Sequence, residues 1–380
     1  MRSLSDLLDP ITSDRFFQDH HDRKPLHIPA GSGGDKRALF GWETFNRLLA
    51  QTTTWTPDTL KMVHQNRPIP VDQYCTLVHT PKGLAHRPSP AKVQVLLSAG
   101  ASLIANEVQG LTPELSVLTR DLSQRFAASV GANVYCSFAG VQAFATHFDL
   151  HDAWAVHLEG EKTWRLYENR AENPIGFPTD DHAAARRWFE QNRGPLMQEV
   201  RMRPGDVLYL PRGWHHDALA DGQPGAASLH VTFSVAPFYG RVIFGLLEKL
   251  AMSEPAFRAY LAPAERDQGR ALDAQLSGLG RRLAEIAASP AFRDEIVRAQ
   301  ARLVPSLADY ALPARKPVTL LRVTGAPPPP FAAPVAAAMA WALAQPQFAL
   351  DDLCARFEDV PSDALRQAVA EAERTGALAR

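Results

Sequence analysis

The chain has 380 residues, long for one domain and comfortable for two or three. It is 46% hydrophobic and 21% charged with a formal net charge of -1, a globular composition with no general pull toward nucleic acid or anionic lipid. The N-terminus is broken by Asp6, Asp9 and Asp14, so no signal peptide is read there. No apolar run approaches a membrane span, and a cytoplasmic location is expected. Three well-separated cysteines, Cys75, Cys136 and Cys354, leave one necessarily unpaired and argue against a disulfide framework or a Cys-zinc site. Cys136 is expected to face a sheet interior.

In chain order, helices are predicted at 42–49 and 113–128, and then short β-like runs take over. These are VYCSFAG (134–140), AWAVHLEG (153–160), KTWRLYE (162–168), GDVLYLP (205–211) and SLHVTFSV (228–235). They are rich in β-branched and aromatic residues and bounded by turn formers, with no helix regularly between them, which predicts an antiparallel sandwich or barrel. From about 241 to 312 the chain turns helical. Leu272, Leu276, Leu279, Leu283 and Ile286 alternate four- and three-residue steps, a seam for another helix in the same chain or a second copy. Past the Pro-rich 326–331, three short helical patterns (335–344, 350–357 and 362–374) suggest a winged-helix-like module. Ser362 is the expected N-cap of the last and Gly376 its stop signal.

Chemistry concentrates in two segments. In THFDLHDAW (146–154), an extended backbone projects His147 and Asp149 from one face, two corners of a 2-His-1-carboxylate set that leaves open positions on iron(II). Alone the pair is weak, and Asp149/His151 competes within the same stretch. In GDVLYLPRGWHHDA (205–218), a strand and a Pro-Arg-Gly corner precede two histidines, and alternation cannot decide between His215 and His216.

The run 133–168, with GDVLYLPRGWHH and SLHVTFSV, closely resembles the JmjC ribosomal oxygenases. The segments 16–30 and 38–50 are similar to that family's opening. The resemblance implies metal ligands His147, Asp149 and His216, with His215 facing out. Lys162 would be the cation that receives the far carboxylate of 2-oxoglutarate, although on chemistry alone it reads equally as a hairpin-edge lysine beside Glu159 and Glu161. Asn133 and Thr232 match polar cosubstrate-side positions. Tyr135, Gln142 and His230 are substrate-side candidates. Phe144 and Ala153 are apolar where more distant hydroxylases place polar contacts, which would shift cosubstrate recognition toward Lys162.

The implied fold is mainly β, a double-stranded β-helix (jelly roll) catalytic domain over 1–240, followed by a helical dimerisation region (241–312) and a winged-helix-like domain (313–380). The implied activity is hydroxylation of a protein side chain, in a ribosomal protein above all, using Fe(II), 2-oxoglutarate and O2, by a homodimer with no DNA or membrane partner. Acidic and basic residues are near balance over 350–380, with no basic stripe. The rival readings are a peptide-tailoring hydroxylase, a non-catalytic cupin or winged-helix binding protein, and a zinc hydrolase.

Overall fold

This computed structural model describes residues 1–31, 33–138, 145–220, 227–307 and 318–380. Two compact units result, Met1–Leu307 and Ala308–Arg380.

In chain order the first unit contains β1 (Leu26–Ile28), β2 (Leu60–His64), β3 (Arg67–Pro68), β4 (Cys75–Thr80), β5 (Gly83–Pro88), β6 (Ser102–Ala105) and β7 (Ala128–Phe138). It continues with β8 (Asp152–Glu159), β9 (Lys162–Arg170), β10 (Leu196–Met202), β11 (Val207–Leu210), β12 (Trp214–Ala220) and β13 (Ala227–Pro237). A large sheet in the order β1-β11-β8-β13-β7-β6-β2-β3 faces a small one, β10-β9-β12, and β4 and β5 form a separate hairpin. All recorded pairings are antiparallel. Two facing antiparallel sheets of this order make a jelly roll, as expected.

Alternation sorts each strand between two cores. On the large sheet Trp154, Val156, Tyr209, Val231, Phe233, Val134 and Ala132 turn to an outer core covered by helices. The helix Pro113–Phe126 forms part of that cover; Thr112 caps it by accepting from the Leu115 amide, and it buries Leu115, Leu118, Leu122 and Phe126. It ends two residues before the predicted 128, where Ala127 turns left-handed. The opposite parity, Ala153, Ala155, Leu208 and Leu210, meets Trp164, Leu166, Val200 and Met202 of the small sheet.

β13 shows what this parity means for function. Ser228, His230 and Thr232 alternate with Leu229, Val231 and Phe233, a pattern that normally marks a half-exposed strand. Yet the three polar residues are 1%, 3% and 8% exposed, so this polar face lies inside the molecule.

The helices Val242–Ala251, Arg270–Ala287 and Pro290–Ala301 contact one another within the first unit. In the second of these Ile286 is buried, Leu272, Leu279 and Leu283 are half-buried, and Leu276 is exposed. In the second unit β14 (Leu320–Val323) lies between β15 (Gln347–Ala349) and β16 (Leu378–Ala379), with helices at Ala336–Leu343, Leu350–Arg356 and Ser362–Arg374. Leu321, Met339, Phe348, Leu353, Leu365 and Val369 form its core. Ser362 is the first helical residue rather than the cap: Pro361 holds that position, and no side-chain cap is made. Gly376, at φ +78°, follows the helix as the expected stop.

Candidate metal centre

His147 and His216 face each other across one isolated antiparallel bridge. Their backbones exchange reciprocal hydrogen bonds of 3.0 and 2.8 Å. Side by side, the two rings stand with centroids 4.5 Å apart. Asp149, two residues beyond His147, directs its carboxylate between them, 3.9 Å from His147 Nε2 and 3.6 Å from His216 Nε2. One ligand atom from each of the three lies within 4.8 Å of the others.

The protonation pattern follows from the partners. His147 Nδ1 lies 2.9 Å from the Ala145 carbonyl and His216 Nδ1 lies 2.9 Å from the Trp214 carbonyl. A carbonyl only accepts, so each Nδ1 donates and Nε2 is the nitrogen left to face the centre. Burial, with His147 beside it, pushes His216 down to about 4, so it stays neutral at pH 7. Burial would raise Asp149, but the His216 and His147 imidazoles outweigh it and hold the carboxyl below its usual range. Two imidazoles and one carboxylate on a common point fit a divalent first-row metal.

Gly213 sets up this convergence. Its amide donates to the Asp149 carbonyl at 2.9 Å, and its φ of +82° is open to glycine. Beyond it β12 pairs with β9 through a register shift between Trp214 and His216. His216 then faces Leu166 across the strands, on the inner side. His215 turns away: its Nδ1 donates to the Asn169 carbonyl at 3.0 Å and its ring packs on Trp188 and Phe148.

The three groups open into a cavity of about 270 Å3 between the sheets. Asn133 and Tyr135 on β7, Lys162 and Trp164 on β9, and His230 and Thr232 on β13 line it, with Ala153, His151, Ala218 and Ser234. Lys162 is 4% exposed and stands across from Met202 and Ala220 on the neighbouring strands. Among the described residues no hydrogen bond or ion pair reaches that ammonium, and burial lowers it to about 8. Asn133 Oδ1 accepts from the Glu107 amide at 3.1 Å, and its side chain also bonds to Tyr135. The Tyr135 and His230 rings stack at 4.9 Å, with His157 behind them at 6.2 Å. Gln142 and Phe144 lie outside the described residues. Sequence reasoning weighed His151 only as an alternative partner of Asp149 and passed over His157 and Asp217. His157 is a buried polar residue within an apolar strand run, a signal available in the sequence.

A family model for the JmjC domain matches residues 107–240. The chain is 30% identical over 306 residues to Ribosomal oxygenase 1 of Gallus gallus, covering 80% of this chain and 47% of that protein. Ribosomal oxygenase 1 of Danio rerio matches at 29% over 231 residues, covering 60% of this chain and 39% of that protein. The bifunctional lysine-specific demethylase and histidyl-hydroxylase NO66 of Drosophila persimilis matches at 27% over 249 residues, covering 66% and 33%. The chain therefore spans less than half the length of these curated relatives. Among solved structures, the ribosomal oxygenase YcfD of Escherichia coli superposes with a TM-score of 0.52 at 13% identity, covering 97% of this chain and 98% of that one, a likeness of fold. Residues 107–240 thus match a JmjC domain, and in sequence the chain is similar to the ribosomal oxygenases.

Proposed function

We propose that the chain is an Fe(II)- and 2-oxoglutarate-dependent oxygenase that hydroxylates a side chain of a protein, a ribosomal protein above all. The observation that carries this reading is a buried lysine, without a partner among the described residues, in the same cavity as the His147–Asp149–His216 cluster. A buried ammonium without a counter-ion is costly, so its retention points to an anion that arrives from outside. The charges agree: a divalent metal, the Asp149 carboxylate and the Lys162 ammonium sum to a formal +2, which a dicarboxylate cancels. YcfD has been solved in complex with cobalt and 2-oxoglutarate, in a protein of this fold.

His147, Asp149 and His216 would hold the iron, and Lys162, with Asn133 and Thr232 beside it, would hold 2-oxoglutarate. Iron loaded with this cosubstrate and O2 supplies the oxidising power for the reaction: one oxygen atom enters an unactivated C–H bond and the other enters succinate as CO2 leaves. The chain's own work is to orient and to exclude water. Trp164 stacks on His216 at 5.6 Å and screens that ligand, and Tyr135 and His230 form a flat wall on which a substrate side chain can lie. Tyr135 is pushed up to about 12, chiefly by burial, so its hydroxyl stays neutral and able to donate.

We read residues 241–312 as a dimerisation region and 313–380 as a winged-helix-like module for protein contacts rather than DNA, in a cytoplasmic protein. The last helix, Ser362–Arg374, supports the latter: Asp363, Glu371 and Glu373 offset Arg366 and Arg374, which disfavours a polyanion. Among the described residues no helix is long and apolar enough to cross a membrane.

The test joins metal and cosubstrate. Anaerobic iron(II) titration should give one site per chain, lost in His147→Ala, Asp149→Ala and His216→Ala and kept in His215→Ala. The iron-loaded protein should release succinate from 2-oxoglutarate. Iron-loaded protein that neither binds 2-oxoglutarate nor forms succinate would leave a non-catalytic cupin. Zinc-dependent hydrolysis in its place would make the protein a zinc hydrolase.

A further inference from the structure

The extended segment 145–149 that carries His147 and Asp149 has a second face. Alternation turns Thr146 and Phe148 away from the centre that His147 and Asp149 face. Phe148 is 2% exposed and its ring meets Phe189 at 5.2 Å and His215 at 5.3 Å, an apolar anchor under the helix His182–Asn192. Thr146 is 4% exposed and has a polar anchor instead. Its hydroxyl donates to Asp217 Oδ2 at 2.9 Å; Glu190 lies at 3.3 Å, but the hydroxyl has one proton and Asp217 is nearer.

Asp217 is the hub. Its side chain is 1% exposed, and it accepts the Tyr167 hydroxyl at 2.7 Å on the same oxygen and Arg165 Nε at 2.7 Å on the other. The residue before one ligand histidine is thus tied to the residue after the other, and both are tied to β9. This matters because the two histidine backbones are joined by a single isolated bridge. The spacing of a metal site tolerates shifts of only about 0.5 Å, so an isolated bridge needs outside support.

We infer that Asp217 is a positioning residue: through Thr146 it fixes the separation of His147 and His216 and so sets metal affinity. The inference rests on the reading of His147, Asp149 and His216 as metal ligands. A buried carboxylate with a salt-bridge partner contributes little net stability, which leaves geometry as the reason for a network spanning three segments.

Cobalt(II) is the probe, titrated anaerobically and followed by its ligand-field absorption, with thermal unfolding of each metal-free protein alongside. Thr146→Val, close to isosteric, should bind cobalt about tenfold more weakly with a shifted absorption band, and Thr146→Ser should bind like the wild type. Asp217→Asn should also weaken binding. Leu122→Ala, a destabilised control in the outer core, should keep the wild-type affinity and spectrum. If Thr146→Val fails to fold, Tyr167→Phe removes another donor from the same carboxylate and should show a loss of the same sign. Folded variants that bind cobalt with wild-type affinity and spectrum overturn the inference while leaving the metal site standing. A wild-type protein that takes up no cobalt overturns both.

Discussion

Lys162 carries opposite consequences for stability and for binding. Burial depresses its ammonium from 10.5 to about 8, because the charged form loses its water without gaining a partner. The folded value lies below the unfolded one, so between these two pH values the unfolded chain holds the extra proton, and stability rises with pH across that window. Below about 8 the fold carries the full penalty. Lys162→Met keeps the length of the side chain and removes the charge. It should stabilise the metal-free protein at pH 7 by on the order of 1–4 kcal/mol, while 2-oxoglutarate binding weakens roughly ten- to a hundredfold. A dicarboxylate bound to the ammonium would raise its pKa again. Affinity for 2-oxoglutarate should therefore fall as pH rises above about 8, and binding near that pH should take up a proton. Calorimetry in buffers of different ionisation enthalpy measures that proton, together with the affinity and the melting temperature. A Met variant that melts earlier and still binds 2-oxoglutarate like the wild type would remove Lys162 from the site.

The strand elements decided how much of this was legible in the sequence. Period-two alternation placed His147 with Asp149 and Lys162 with Trp164 and Leu166, and in each set the structure puts all members on the cavity side. It could not choose between His215 and His216, because the pairing shifts between Trp214 and His216 and parity cannot be counted across a bulge. Asp217 escaped for a related reason: an acid opposite in parity to an inward residue reads as solvent-facing, whereas the structure buries it against Thr146, Tyr167 and Arg165. The Gly213 corner belongs to this scale. A Cβ there would fall 2.3 Å from the Ala171 carbonyl oxygen at a φ that L residues avoid. Gly213→Ala should cost at least about 2 kcal/mol and lower the melting temperature by several degrees, with weaker metal binding because Asp149 hangs on that amide. Gly131→Ala, in β7 with nothing within 4 Å of the added methyl, should change stability by less than about 1 kcal/mol in differential scanning calorimetry. Equal melting temperatures for the two variants would refute the account of the corner.

For the molecule as a whole, exposed apolar residues occur along the described chain, and six of them fall between 243 and 276. Ile243 is 38% exposed, Phe244 74%, Met252 49%, Tyr260 100%, Leu261 58% and Leu276 49%. Single exposed apolar residues need no explanation, but this many within one helical zone mark a surface that expects a partner. The Leu272–Ile286 seam is only partly used inside the chain: Ile286 is buried by its own helices, while Leu276 is left outside. A second copy of the same zone offers matching residues, and two-fold pairing of one patch with itself closes without open-ended growth. Sedimentation at micromolar concentration should therefore report twice the 41.7 kDa chain mass. Phe244→Glu with Leu276→Glu would place four charges in the contact of each dimer and should return the protein to monomer. Neither residue belongs to a core, so the melting temperature should move by only a few degrees and the metal site should still load with iron(II). A wild-type monomer would refute the dimer outright. A double variant that stays dimeric would move the interface away from this zone.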